Sequence, residues 1–287
     1  MGEPNDTNRP RRAPTRVDKG ISVLNAILGD HLERRGNDLA IGMECVRGGG
    51  TPTPRLCVLV HGLGCTEDIF EFPGAAGVSY GALLERDLGY TPVAVRYNTG
   101  LAIARNGRLL AALLDEFVAA HPVPVEEIVL IGHSMGGLVL ESACRLESRW
   151  AGLVRHVVTL GTPYEGADLE KLTHTSARVL HAVPSPITRL LGNVLNLRSR
   201  GVKDLGLGAS HDGAVPAAPL ATARHYAIAG TLHEDPAHPV SRILGDILVR
   251  VPEPGTPDLR VFPGVHHFAL AHDGRVYEQI RAWLGGA

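Results

Sequence analysis

Residues 131–137 read Ile131-Gly132-His133-Ser134-Met135-Gly136-Gly137 and carry the strongest structural signal in the chain. They follow a short apolar run at 127–131, which predicts a buried strand, and they lead into 135–146, which predicts a helix. Such a turn between strand and helix is so tight that side chains at positions 132 and 136 would collide with neighbouring backbone, so glycine is needed at both. We therefore expect Ser134 in a strained backbone conformation at the carboxyl end of a sheet.

The rest of the chain alternates between short apolar runs and amphipathic stretches. Strands are predicted at 37–46, 56–60, 92–97, 127–131, 154–160, 224–229 and 259–262. Helices are predicted at 17–32, 82–88, 109–117, 135–146 and 276–284. Strands that alternate with helices in this way form βαβ units, so the predicted fold class is α/β, with a mostly parallel central sheet and helices on both faces.

The sequence predicts one main domain with two additions. Residues 1–16 are rich in Pro, Arg and Asn and contain almost nothing to bury, which predicts a flexible tail before a domain at 17–287. An insertion at about 165–220 contains no convincing strand, only helical fragments. Insertions of this length are usually functional, so we expect an apolar helical cap over the site. The alternative is a helical decoration that packs away from the site.

Composition excludes several classes of function. The chain has 287 residues, and its 28 Lys and Arg nearly balance 30 Asp and Glu, so no overall field would attract nucleic acid. No apolar run reaches the ~20 residues of a membrane-spanning helix, and no secretory signal is recognisable. The four cysteines are too scattered for a disulfide framework. We expect a cytoplasmic protein without an integral membrane segment, and its oligomeric state stays open.

Two motifs predict nucleophilic chemistry. The pattern G-x-S-x-G around Ser134, set between strand and helix, is that of a nucleophile elbow. A second motif, His61-Gly62-Leu63-Gly64, directly follows the strand at 56–60. A His-Gly pair at that place is typical of half an oxyanion hole, whose donors would be the backbone N–H groups of Leu63 and Met135. His61 is expected to shape this loop through hydrogen bonds rather than to act as the base.

A serine nucleophile also needs a base, and in this arrangement the histidine comes last in the chain. Of 14 histidines, His266 and His267 best satisfy the expected position between the last strand and the last helix, and His272 comes later. Position alone does not choose between His266 and His267.

These motifs together resemble the lipase and esterase branch of the α/β hydrolases, including bacterial members similar to GPI inositol-deacylases and triacylglycerol lipases. The resemblance rests on residues 132–137, residues 61–64, Leu160-Gly161-Thr162-Pro163 and His267-Phe268-Ala269-Leu270, and it runs from about residue 55 to the end. It implies the α/β-hydrolase fold with a helical cap. It also implies that His267 is the catalytic base, with His266 as a packed or hydrogen-bonded neighbour.

The triad acid has two candidates. Asp235 lies closest to the end of the strand at 224–229, where simple topology places an acid. Asp246 lies in Leu244-Gly245-Asp246-Ile247-Leu248-Val249, which is similar to the family's G-D-G-L-V segment although Ile247 replaces its second glycine. We favour Asp246.

The expected reaction is cleavage of a carboxylic ester by Ser134, His267 and Asp246 through an acyl-enzyme. The substrate would be a small-molecule or lipid ester with an apolar acyl chain, because the predicted cap is apolar. No cofactor is needed, and no metal-ligand spacing is present in the sequence. The alternatives are a thioesterase or acyltransferase with the same triad, or a non-catalytic ligand-binding protein on the hydrolase scaffold.

Overall fold

A computed structural model describes residues 13–47, 50–164, 199–207, 220–231 and 258–286. Its strands are β1 Glu44–Arg47, β2 Arg55–Val60, β3 Thr91–Arg96, β4 Glu127–His133, β5 Val154–Leu160, β6 Arg224–Thr231 and β7 Leu259–Pro263. Its α-helices are α1 Arg16–Arg34, α2 Tyr80–Leu88, α3 Ile103–Ala120, α4 Met135–Cys144, α5 Arg200–Leu207 and α6 Gly274–Leu284. Short 3₁₀ turns occupy Glu67–Phe70, Ala151–Leu153 and His267–Ala271.

The strands of the described residues form one sheet in the order β1-β3-β2-β4-β5-β6-β7. β1 pairs with β3 in the antiparallel sense, and the other neighbours are parallel. The predicted mostly parallel α/β sheet is confirmed. Because β2, β4 and β7 run in one direction, the loops after Val60, His133 and Pro263 leave the sheet at its carboxyl edge.

The sheet separates two apolar cores, and β2 shows why the chain folds this way. Leu56, Val58 and Val60 belong to one core, whereas Cys57 and Leu59 belong to the other. Successive side chains of a strand point to opposite faces, so a strand covered on both faces is apolar throughout. Helices α3 and α4 pack in the first core, and α2 and α6 pack in the second.

Helix α1 covers the helix predicted at 17–32 and begins at Arg16, the last residue of the predicted tail. Thr15 and Asp18 form a capping box, with the backbone N–H of Asp18 donating to the Thr15 hydroxyl at 3.2 Å. The helix therefore starts at Arg16, and residues 1–12 of the predicted tail lie outside the described residues.

Of the predicted cap, residues 199–207 and Leu220 are described, and α5 is among them. Its Asp204 accepts from the backbone N–H of Ile103 at 3.0 Å, which attaches α5 to the start of α3.

The strand predicted at 37–46 is wrong over most of its length, since β1 covers only Glu44–Arg47. The reason is a side chain on α1. Asn25 donates to the carbonyl of Leu39 at 2.7 Å and accepts from the N–H of Ile41 at 3.0 Å. These bonds tie the segment before β1 to α1, so those backbone groups are not used in the sheet.

Candidate functional site

Ser134 occupies the sharp turn between β4 and α4. Its backbone has φ 55° and ψ −125°, in the left-handed region that residues with a side chain rarely adopt. Its N–H donates to the carbonyl of Leu160 at 2.8 Å, and its carbonyl accepts from the Thr162 hydroxyl at 3.1 Å. The turn is thereby fixed from both sides. The serine is 6 % exposed, at the carboxyl edge of the sheet.

The two glycines of the motif are required by close approach. A Cβ on Gly132 would lie 2.6 Å from the Cα of Gly137. A Cβ on Gly136 would overlap the carbonyl oxygen of Val60. Both contacts are with backbone, which a rotamer change cannot relieve. The steric reason for glycine at positions 132 and 136, expected from the sequence, is therefore present in the structure.

The loop at 61–64 lies directly against this turn. A Cβ on Gly62 would be 2.9 Å from Cβ of Ser134. Within the loop, the N–H of Gly64 donates to the Thr99 hydroxyl at 3.2 Å and the N–H of Cys65 donates to the carbonyl of Gly62 at 3.2 Å. Among the hydrogen bonds between described residues, none uses the N–H of Leu63 or Met135.

Neighbouring elements hold this loop in place. On α1, the Ser22 hydroxyl donates to the carbonyl of Cys65 at 2.5 Å. The Tyr97 hydroxyl donates to the carbonyl of His61 at 2.7 Å. After the loop, the buried carboxylate of Glu67 pairs with Arg96 of β3. The sequence motifs do not reveal these supports, because they come from elements distant in the chain.

His61 is buried and makes its contacts within and beneath its own loop. Its Nδ1 lies 2.9 Å from the carbonyl of Gly62, and its ring stacks on Tyr97 with centroids 4.6 Å apart. Burial lowers the pKa of His61 to about 4. The ring is therefore neutral near pH 7, and the contact with Gly62 places its proton on Nδ1.

His267 follows β7 and lies close to the elbow. It is 2 % exposed, and its backbone carbonyl lies 3.0 Å from Nε2 of His133, the residue next to Ser134. The other two candidates lie elsewhere. Exposed His266 caps the 3₁₀ turn by accepting from the N–H of Ala269 at 3.3 Å, and Nδ1 of His272 is 2.9 Å from the carbonyl of Ile69.

Comparison with solved structures identifies the fold. The lipase BlEst2 of Bacillus licheniformis in its mature form is similar to this chain with a TM-score of 0.57 and 19% identity, over 85% of this chain and 97% of the lipase. The esterase RhEst1 of Rhodococcus sp. ECU1013 is similar with a TM-score of 0.52 and 17% identity, over 85% of this chain and 94% of the esterase. The chain has the α/β-hydrolase fold.

Sequence comparisons agree with the resemblance that the motifs indicate. Residues 70–188 match the family described as the PGAP1-like alpha/beta domain. Over 53 residues, or 18% of this chain, the sequence is 36% identical to GPI inositol-deacylase A of Yarrowia lipolytica (strain CLIB 122 / E 150). That match spans only 5% of the length of the yeast protein. The resemblance to esterases, lipases and GPI inositol-deacylase relatives of the α/β-hydrolase fold is confirmed.

Both candidates for the acid of this hydrolase fold, Asp235 and Asp246, lie outside the described residues. Two other aspartates between Ser134 and His267 are described. Asp204 bonds to the start of α3, and Asp258 occupies the turn before β7 with φ 54°. The described part of the structure therefore places the loop of Leu63 and the residue His267 next to the turn that carries His133, Ser134 and Met135, and it does not test the choice of acid.

His133 is the residue of this site that the sequence motifs leave without a role. It is fully buried, and burial followed by the proximity of His267 keeps its pKa well below the ordinary value. Its ring centroid is 4.9 Å from that of His267. One signal for it was available, since the residue directly before the elbow serine lies at the end of a buried strand.

The described ranges contain neither a candidate metal site nor a candidate membrane span. There, no group of three or more His, Cys, Asp or Glu side chains could hold a metal ion. Within the same ranges, no helix combines the length and apolar character needed to cross a membrane.

Proposed function

We propose that this protein is a serine hydrolase that cleaves carboxylic esters, of esterase or lipase type, through Ser134, His267 and Asp246. The observation that carries the proposal is the strained backbone of Ser134, at φ 55° on a buried turn. Strain of this kind costs of order 1–3 kcal/mol, and it persists at functional sites because surrounding structure enforces it. A purely structural serine needs no such turn.

The oxyanion hole of this proposal consists of the N–H groups of Leu63 and Met135. Gly62 touches the turn of Ser134, so the loop carrying Leu63 lies beside the nucleophile. Met135 is the first residue of α4, and a helix N-terminus favours negative charge. Hydrogen bonds from Gly64 and Cys65 stabilise the loop without using the N–H of Leu63.

The proposed reaction has two halves. His267 takes the proton of the Ser134 hydroxyl as Oγ bonds to the ester carbonyl carbon, and the carbonyl oxygen becomes an oxyanion held by Leu63 and Met135. The bond to the alcohol then breaks, and His267 donates its proton to the leaving oxygen. Water activated by His267 attacks the acyl-enzyme and releases the acid and free Ser134. Asp246 would orient the His267 ring throughout.

The substrate proposed is a small-molecule or lipid ester with an apolar acyl chain, and no cofactor takes part. We place the enzyme in the cytoplasm, where its four unpaired cysteines stay reduced. Burial raises the pKa of Cys65, the cysteine beside the oxyanion loop, to about 12, so its thiol is a poor nucleophile there.

The test is hydrolysis of p-nitrophenyl esters from acetate to palmitate by the wild type, Ser134→Ala and the control Ser142→Ala. Ser142 is a buried serine on the same helix that follows the elbow. We expect Ser134→Ala to lower kcat by about 10⁴-fold or more and Ser142→Ala to retain activity. A fluorophosphonate should label Ser134 in the wild type and in Ser142→Ala, and it should not label Ser134→Ala.

Other outcomes separate the alternatives. Hydrolysis of acyl thioesters in preference to oxygen esters would move the assignment to a thioesterase, and transfer to an added alcohol in preference to water would indicate an acyltransferase. If no ester of any chain length is hydrolysed and Ser134 is not labelled, the protein is a non-catalytic ligand-binding protein on the hydrolase scaffold.

A further inference from the structure

We propose that His133 is a positioning residue that connects the nucleophile turn to the loop of the base by donating from Nε2 to the backbone carbonyl of His267. Its effect on rate rests on the proposed function, whereas its effect on the placement of His267 does not. The contact spans 134 positions of the chain and measures 3.0 Å.

The hydrogen bond fixes the tautomer of His133. A carbonyl oxygen only accepts, so Nε2 must carry the proton and Nδ1 keeps a lone pair. Burial keeps the ring neutral, as its lowered pKa shows. A neutral ring is suited to this place, because a second positive ring beside His267 would oppose the imidazolium that forms there during catalysis.

The same ring also reaches the oxyanion loop. Nδ1 of His133 is 3.1 Å from the position that a Cβ on Gly62 would take. The centroid of the same ring lies 4.9 Å from that of His267 and 6.3 Å from that of Phe268. His133 is therefore close both to the loop that carries Leu63 and to the loop that carries His267, and it directly precedes Ser134 in the chain.

The spacing of the catalytic groups then depends in part on the side chain of His133. A misplacement of about 1 Å can cost about 10²-fold in rate, and the His267 loop is held to β4 by this bond. The competing interpretation is that His133 only fills space in the core. A leucine would fill most of that space but could not donate, whereas the terminal amide of a glutamine could reach the same carbonyl.

The experiment compares His133→Leu and His133→Gln with the wild type. His156→Leu is the matched control, since His156 is a half-buried strand histidine that stacks on Tyr226 with centroids 5.8 Å apart, near the start of β5. We measure kcat and KM on a p-nitrophenyl ester and the rate of fluorophosphonate labelling. We expect His133→Leu to lower kcat and labelling by about 10²-fold with KM changed by less than about threefold. The kcat of His133→Gln should be at least about tenfold higher than that of His133→Leu. The kcat and labelling rate of His156→Leu should equal those of the wild type.

A second readout does not depend on activity. The ¹⁵N signals of the His267 ring, assigned by their disappearance in His267→Gln, should shift in His133→Leu and return towards wild-type values in His133→Gln. If His133→Leu fails to fold, His133→Asn replaces it, because its shorter amide cannot reach the His267 carbonyl.

Unchanged His267 signals in His133→Leu or His133→Asn would overturn the inference, as would equal kcat loss in the Leu and Gln variants. A wild type that neither hydrolyses esters nor reacts with fluorophosphonate would instead overturn the proposed function. The NMR comparison would still decide the placement of His267 in that case.

Discussion

Gly62 lies so close to Ser134 that a single methyl group on the glycine would stand 2.9 Å from Cβ of the serine. Carbon atoms pack at about 3.5–4.0 Å, so the two segments are in full contact without that methyl group. Gly62 belongs to the loop after β2, and Ser134 directly follows β4, the strand beside β2. The parallel pairing of these two strands is what brings the oxyanion loop and the nucleophile to one place.

This contact predicts a strong effect of Gly62→Ala on catalysis. The methyl group can be accommodated only if the loop or the elbow moves, which displaces the N–H of Leu63 from the oxyanion position. Loss of one such donor costs about 10²–10³-fold in kcat, and we expect a decrease in that range on p-nitrophenyl esters. Gly152→Ala is the control, because a Cβ there would meet nothing within 4 Å. Wild-type kcat in Gly62→Ala would show that Leu63 is not a donor.

Helix α1 should influence activity through Ser22. The Ser22 hydroxyl is buried and donates to the carbonyl of Cys65 at the end of the oxyanion loop. Ser22→Ala removes this bond, so we expect the free energy of unfolding to fall by about 1 kcal/mol and kcat to fall by about three- to tenfold as the loop loosens. Urea unfolding and ester hydrolysis measure the two effects.

Ser142→Ala serves as the control for Ser22→Ala. Ser142 is also buried on a helix, and it does not belong to the oxyanion loop. An equal loss of kcat in both variants would assign the effect to general destabilisation instead of to the oxyanion loop.

Acid should destabilise the fold partly through His61. Its folded pKa is about 4, compared with 6.5 for the unperturbed side chain, so between these values the unfolded state binds more protons than the folded state. The contribution of neutral His61 to the free energy of unfolding is complete above pH 6.5 and is lost as the pH falls towards 4. The loss amounts to roughly 3 kcal/mol, and buried His133 adds a loss of the same sign.

Urea unfolding at about pH 7 and about pH 4.5 measures this dependence. His61→Asn has no ring to protonate, so its unfolding free energy should fall less steeply with acid than that of the wild type. The same slope in both proteins would contradict the assignment of this pH dependence to His61.

The sequence predicts those features of the site that local pattern determines. Ser134 is recognisable because the strand, the glycines and the helix around it are neighbours in the chain. The segment at 37–43 was predicted wrongly because its conformation depends on Asn25, a side chain of α1 that no local pattern connects to it. His266 and His267 satisfy the same positional rule, and only the structure shows that His267 contacts His133, 134 positions away, while His266 caps a 3₁₀ turn. The choice of His267 as the base stays a prediction.

The choice of Asp246 over Asp235 as the triad acid rests on the sequence alone. If Asp246 orients the His267 ring, Asp246→Asn leaves an amide that cannot accept the ring proton in the same way, and kcat should fall by about 10⁴-fold. Asp235→Asn should then change kcat by less than about threefold, as expected for a solvated side chain. The two variants have the same change of charge and shape, so each is the control for the other. A large loss in Asp235→Asn with an active Asp246→Asn would reverse the assignment, and the nucleophile and base would remain as proposed.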